Sequence, residues 1–542
     1  MSAALQLALR FLDGGMIDLA ERQVARALKD TPESVQAHRV AGRVAIAAER
    51  WEDALAFLDR ALVLAPLDPS IRIDRVDPLC ALGQTEVALE GLFQAVDLAP
   101  GFAPAHHNLG RLLMNLGRFE EALHELERAR DLLPDSLDVA VDLARCLRRL
   151  NCPGQALPLL QEAVARAPDR PDLVDALGGA ALAAAQAGQG SVAEGVDVFR
   201  AALARWPDRV ESWANLSAAL IEARDLPGAI AAAEEALLRD PSDAGALVNR
   251  SFALCLSGDY ERGLEDYRHR WRTDGFLGKY APVSCPEWDG APLPDGVLLT
   301  RGEQGLGDQI MAARFLPWAA ERVGRVIFEC HPTLHRLFLC SCPGVDVVAP
   351  GMVPPGLDAW VGAMDLARLS GTRVNHMPAV VPYLSPPPDG PCPPKSDGRP
   401  RVALVWAGKD RPRDRSCPLA PLARLCQDAG IRAFSLQLGP RRTDLEILSG
   451  EVPVEDLASH IGDMADTAAL LAGMDFVISV DTGVAHLAGA LGVPGYVLLL
   501  ATPDWRWGER GDHCIWYPSL RLVRQPEPGD WTGAFGALAS LL

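Results

Sequence analysis

The 542-residue chain lacks the features that would place it in several large classes. It has no excess of positive charge. Its 71 Asp and Glu outnumber its 52 Lys and Arg, and the net charge of −19 argues against a nucleic-acid partner. None of its 12 cysteines forms a C-x-x-C pair. Cys340 and Cys342 are the one close pair, and no histidine cluster completes a metal site beside them. The cysteines therefore read as reduced core thiols, with no metal expected. No apolar run is long enough to span a membrane. The most apolar stretch, Leu487 to Leu500, is broken by Gly and Pro and reads as a buried strand with its helix. Met1 to Met16 has no basic segment ahead of its apolar residues, so no signal peptide and a cytoplasmic location are expected. There is no D-x-D, no G-K-[ST] closing a Walker loop and no G-x-G-x-x-G. The length excludes a single core and gives two to four domains.

What the chain does have is a repeat. Alanine stands at Ala20, Ala54, Ala88, Ala122 and Ala156, in steps of 34 residues. Pro32, Pro66, Pro100, Pro134 and Pro168 keep the same step, as do Ala27, Ala61, Ala95 and Ala129. Five repeats start at Met1, Val35, Pro69, Ala103 and Leu137. A sixth, Pro171 to Arg209, carries five extra residues near 185–191. A seventh starts at Val210, and a degenerate eighth with Gly258, Tyr260 and Gly263 runs out at Trp271. Each repeat reads as two helices that cross closely at small residues, the proline ending the second. The pattern resembles the tetratricopeptide repeat over residues 1 to 271, which implies an all-α solenoid. Its concave face is lined by the first helix of each pair. That face collects Arg39, Arg43, His107, Arg111, Arg145 and Arg148. Arginines in an acidic protein suggest a groove for a polypeptide with carboxylates, or else a solvated face.

Residues 272–295 are punctuated by Pro282, Pro286, Gly290, Pro292 and Pro294 and read as a linker. From Gly296 strands and helices alternate. One Rossmann-like lobe is expected over 296–390 and a second over 391–542, with a Pro- and Gly-rich connector between them near 383–400. In the first lobe an apolar strand runs into Gly302, Gly305, Gly307 and Asp308, and then a helix. This is a mononucleotide-type half-unit with a positive helix end and a carboxylate beside it. Asp308 has two readings here, a helix N-cap or a group aimed into a cleft. In the second lobe the strand Arg401 to Ala407 leads to a basic loop with Lys409, Arg411 and Arg415. A later strand ends in the turn Asp481-Thr-Gly483, whose amides suit a phosphate. His486 lies just inside the following helix, as core residue or ligand contact. Trp505 and Trp507 either line the site or cap the sheet.

The runs Gly302-Glu-Gln-Gly-Leu-Gly-Asp-Gln, Val405-Trp-Ala-Gly408 and Ser479-Val-Asp-Thr-Gly-Val-Ala-His486 resemble the heptosyltransferase-like GT-B glycosyltransferases. The whole chain resembles bacterial fusions of tetratricopeptide repeats to such a domain, among them flagellin-modifying enzymes. The resemblance implies a cytosolic, inverting, metal-independent protein O-glycosyltransferase. Its repeats would hold flagellin, and it would use a nucleotide sugar such as an activated nonulosonic acid, with no cofactor. It implies Asp308 as catalytic base, with Glu303 in reserve. Gly305, Gly307, Lys409, Arg411, Arg415, Asp481, Thr482, Gly483 and His486 would surround the donor phosphate. A heptosyltransferase-like glycolipid or lipopolysaccharide transferase and a non-catalytic scaffold are the other readings. Eight repeats are a large device for a saccharide acceptor, and no amphipathic membrane-binding helix stands out.

Overall fold

The computed structural model describes residues 2–273, 276, 280, 282–374, 381–392, 395–409, 414–448 and 452–542. It divides into two compact units, Met1–Ala187 and Gly188–Leu542. The first is all-α, and the second ends in an α/β region built on two parallel sheets.

In the first unit the 34-residue step becomes helix pairs: Ala3–Asp13 with Ile17–Asp30, Val35–Ala47 with Trp51–Leu64, and so on to Leu137–Arg149 with Pro153–Arg166. The periodic alanines Ala20, Ala54, Ala88, Ala122 and Ala156 are all buried. The crossings are tight. A Cβ on Gly42 would stand 2.5 Å from Leu58 Cγ, and one on Gly110 would stand 2.6 Å from Leu126 Cγ. Each periodic proline stands two residues beyond a second helix, where its missing N–H costs no helical bond. The turn between paired helices needs a left-handed residue, supplied by Gly15, Gly83 and Gly117 but also by Glu49 (φ 55°) and Asn151 (φ 60°). The third pair departs from the pattern. Its first helix is broken into Pro69–Asp74 and Val76–Ala81. Pro78 has no N–H to give Asp74, and its ring crowds that carbonyl.

The compact units do not divide at residue 271. The later helices, Val192–Arg205 through Tyr260–Tyr267, belong with the α/β region. Aromatic burial ties the last pair to the α/β region. Tyr260 packs against Trp505 and Trp516 at centroid distances of 6.0 and 5.5 Å, and Tyr267 against Trp505 at 5.5 Å. The extra residues near 185–191 fall at the division.

The α/β region begins with β1 (Leu293–Arg301), β2 (Val323–Glu329), β3 (Val345–Val348) and β4 (Ala359–Gly362), in the order β3-β2-β1-β4. A second sheet holds β5 (Arg401–Val405), β6 (Arg432–Ser435), β7 (Val454–Asp456), β8 (Phe476–Val480), β9 (Gly495–Leu499) and β10 (Leu520–Arg524). Its order is β10-β9-β8-β5-β6-β7, the doubly wound arrangement. Both sheets are parallel throughout, and their central strands are apolar on both faces. Strand order reverses between β1 and β4 in one sheet and between β5 and β8 in the other. Such reversals open crevices at the strands' carboxyl ends, so the loops after β1, β5 and β8 are placed to hold a ligand.

Among the described residues no helix is long and apolar enough to cross a membrane. All twelve cysteines are free. Cys340 and Cys342 form no disulfide, and Cys340 and Cys392 are exposed rather than core thiols.

Candidate active site

The loop after β1 is held from three sides. A Cβ on Gly302 would stand 2.6 Å from the Glu329 carbonyl, so only glycine fits there. Gln309 donates to the Glu303 carbonyl and accepts from His331 N at 2.8 Å. Glu303 itself is 2% exposed. Its carboxylate accepts from Arg270 Nε at 3.1 Å and Met364 N at 3.1 Å. Arg270 also donates to Asp365 at 2.6 Å, and all three ionic side chains are enclosed. Glu303, the reserve base of the sequence reading, is thus occupied by a buried ion pair and reaches no crevice.

The helix Leu306–Ala313 follows, and its N-cap residue is Gly305, not Asp308. Asp308 stands in the first turn. Its side chain keeps 27% of its surface open, and its Oδ1 lies 2.8 Å from Arg506 Nε. Burial pushes its carboxyl up to about 6. Arg506 opposes that rise, while Glu303, Asp504 and Asp481 reinforce it. The result is a carboxylate far more basic than a solvated cap, close to the value general-base work needs near neutral pH.

This helix packs against Gly483–Leu491, the helix that follows β8. The approach depends on Gly307, while a side chain at Gly483 would only reach contact distance. A Cβ on Gly307 would stand 2.5 Å from the His486 ring, and one on Gly483 would stand 3.4 Å from Leu306 Cβ. Thr482 is the extended N-cap residue of the second helix, its hydroxyl 2.9 Å from Ser479 Oγ. Asp481, 6% exposed, accepts from Arg415 Nη1 at 2.7 Å. Arg415 therefore stands at this turn, and Gly408 lies against Thr482. Lys409 is exposed at the same loop, and Arg411 lies outside the described residues. His486 is buried, its Nδ1 2.9 Å from Tyr517 Oη, and burial drives its pKa down to about 3. It is a neutral packing residue beneath Gly307.

Sequence reasoning singles out Trp505 and Trp507 but not the arginine between them, yet Arg506 is the cation that faces Asp308. Both tryptophans are buried, and Trp505 packs on Tyr260 and Tyr267. Among the described residues no group of three or more His, Cys, Asp or Glu is placed to hold a metal.

In the first unit the proposed groove cations are interleaved with acids. Arg39 is committed to Asp74, at 2.7 Å, with Asp68 at 3.9 Å. His107 (2.8 Å), Arg145 (3.2 Å) and Arg111 (3.7 Å) all converge on Asp142, which is itself 8% exposed. Arg111 and Arg145 keep 58% and 55% of their side chains exposed. Arg43 and Arg148 are exposed as well, Arg148 Nη1 lying where a Cβ on Gly179 would meet it.

Residues 5–69, 107–171, 153–210 and 180–244 match the tetratricopeptide repeat, and residues 448–517 match glycosyltransferase family 9 (heptosyltransferase). The second match takes in Asp481–Gly483, His486 and Arg506 but not Asp308. The chain is 26% identical over 443 residues to Protein FlbA of Caulobacter vibrioides, covering 69% of this chain and 73% of that protein. Two solved structures resemble it over part of its length. A thermophilic tetratricopeptide protein of Thermus thermophilus is 24% identical, with 33% of this chain and 97% of that one covered and a TM-score of 0.31. YrrB, described as a tetratricopeptide protein with an unusual peptide-binding site, is 22% identical, with 35% and 95% covered and a TM-score of 0.29.

Proposed function

We propose, for a chain that joins tetratricopeptide repeats to a heptosyltransferase-like glycosyltransferase family 9 domain, that it is a protein O-glycosyltransferase. It works as an inverting, metal-independent GT-B enzyme on a nucleotide sugar. The observation that carries the reading is Asp308. It is a carboxylate raised to about 6, set beside the helix start at Asp481–Gly483. Its part is to take the proton of the acceptor hydroxyl as the oxygen attacks the anomeric carbon and the nucleotide departs. The amides at the start of Gly483–Leu491, with Arg415 and Lys409, receive the leaving phosphate's charge. The exposed Arg43, Arg111, Arg145 and Arg148 support a polypeptide acceptor with carboxylates, held by the repeats. Flagellin is the acceptor proposed, a nonulosonic acid the sugar and the cytoplasm the compartment.

Intact mass spectrometry of flagellin co-expressed with and without the protein tests this. The expected result is a ladder of added sugar masses on Ser or Thr only when the protein is present, unaffected by EDTA in the purified reaction. Unmodified flagellin beside sugar transfer to a lipid or saccharide acceptor would assign the glycolipid reaction instead.

A further inference from the structure

Arg506 holds three partners at once. Its Nε faces Asp308 Oδ1 at 2.8 Å, Nη1 donates to Asp504 Oδ1 at 2.6 Å, and Nη2 donates to Tyr267 Oη at 3.1 Å. Its guanidinium lies over the Trp505 ring, 4.4 Å from the centroid. The Asp504 and Tyr267 contacts have hydrogen-bond geometry. The Asp308 contact does not: Arg506 Nε is buried without an aligned acceptor. Asp308 therefore feels the cation's charge without receiving its hydrogen bond.

The in-plane orientation of the guanidinium decides whether that remains so. A small turn would set Nε and Nη2 on the two oxygens of Asp308 as a forked pair, the strongest arginine–carboxylate geometry. A carboxylate so held is a poor base, because its proton-accepting lone pairs are taken. Two groups oppose the turn, Asp504 at Nη1 and the Tyr267 hydroxyl at Nη2, and of these Tyr267 competes for the nitrogen the fork needs. Burial pushes the phenol far above its usual range, so it stays a neutral hydroxyl. The ring is fixed in turn, between Arg270 (4.5 Å) and Trp505 (centroids 5.5 Å apart). Arg270 grips Glu303, five residues before Asp308. The end of the last helix pair thus reaches both the loop that carries Asp308 and the cation that faces it.

We propose that Tyr267 is a positioning residue for the transfer reaction: it holds Arg506 in the orientation that leaves Asp308 unbonded and free to accept a proton. This rests on the reading of Asp308 as base. It gives the last repeat a part in the chemistry as well as in packing. The charged and titratable groups around Asp308 are Arg506 from the 505–507 turn and Asp504 just before it, Glu303 from its own loop, Asp481 and Arg415 across the crevice, and the neutral Tyr267. His486 beneath Gly307 is neutral. Tyr267→Phe alters none of these charges.

The test needs no ligand. Aspartate labelled with 13C at the side-chain carboxyl is incorporated into the full chain, and Asp308 is assigned by its loss in Asp308→Asn. The midpoint of its titration is then compared between wild type and Tyr267→Phe. With Nη2 released onto Asp308, the midpoint should fall by about half a unit or more from its value near 6. An unchanged or raised midpoint would overturn the proposal. In an Arg506→Lys background there is no fork for the phenol to restrain, so Tyr267→Phe should then shift nothing. A shift of equal size there would also overturn it, and this arm holds even if the single variant folds poorly. Should the titration move as expected in a protein that transfers no sugar, the base assignment fails while the positioning contact stands.

Discussion

Two pairs of arginines, one pair in each compact unit, are used in opposite ways. In residues 1–187, Arg111 and Arg145 keep more than half of their side chains in water and share the single carboxylate of Asp142. In residues 188–542, the side chains of Arg270 and Arg506 are 2% and 7% exposed, and each is lodged between two acids. An exposed arginine with an incomplete partner has donors left for a ligand. A buried one is closed off from an incoming ligand, and its work is to fix the groups it touches. The difference separates a surface that can recognise something from a scaffold that sets geometry and charge.

The contrast can be sharpened by removing its members in turn. The largest effect should come from the group the buried arginines serve. Asp308→Asn keeps the shape and cannot take a proton, so single-turnover transfer should fall about 10²–10⁴-fold with donor and acceptor binding retained. Next comes the scaffold. Arg270→Ala leaves Glu303 and Asp365 as buried like charges, and breaking such a cluster costs about 3–5 kcal/mol. A large drop in the melting temperature is expected, and Glu303→Gln with Asp365→Asn in the same chain should restore much of it. On the exposed side, reversing Arg111 and Arg145 to Glu should lower acceptor affinity at least about tenfold, since charge-assisted contacts are worth about 1.5–3 kcal/mol each. Nucleotide affinity should stay unchanged, and titration calorimetry reads both. The smallest effect concerns neither arginine set. Glu49 holds φ 55° at a turn position where Gly15, Gly83 and Gly117 stand in other repeats. Glu49→Gly should therefore stabilise the protein by up to about 1 kcal/mol in thermal unfolding.

The first half was legible because its structure is local. A 34-residue step in alanine and proline maps directly onto helix crossings and helix ends. Pro78 is equally visible, but beside periodic prolines that mark helix ends it gives no warning that the first helix of the third pair is broken. In the α/β region the strands of strong apolar character, β1, β5, β8 and β9, stood out. The three residues of β7 are too few to show a period, and β10 and the helix Trp531–Ala539 lie past the last motif. The site was half legible. Glycine loops announce themselves by composition, and Asp308, Arg415 and Asp481–Gly483 fall around the same pair of helix starts. Polar contacts between distant segments leave no local trace. Arg270 meets Asp365 at a separation of 95 residues, and Arg506 meets Tyr267 at 239. Nor does spacing distinguish an enclosed acid from an available one, so Glu303 stays in reserve behind Asp308 until burial removes it.

As the proposed base, Asp308 must act in its ionised form. Its carboxyl is raised in the folded protein, so the protonated form is favoured below about pH 6 and the carboxylate appears above it. The direct measurement is the pH dependence of single-turnover transfer from about pH 5 to 8, for wild type and Asp308→Asn. The wild-type rate should climb through a midpoint near 6 and then level, and the small residual rate of the Asn variant should lack that limb. An Asn variant that transfers at near wild-type rate with the same acid limb would place the base elsewhere.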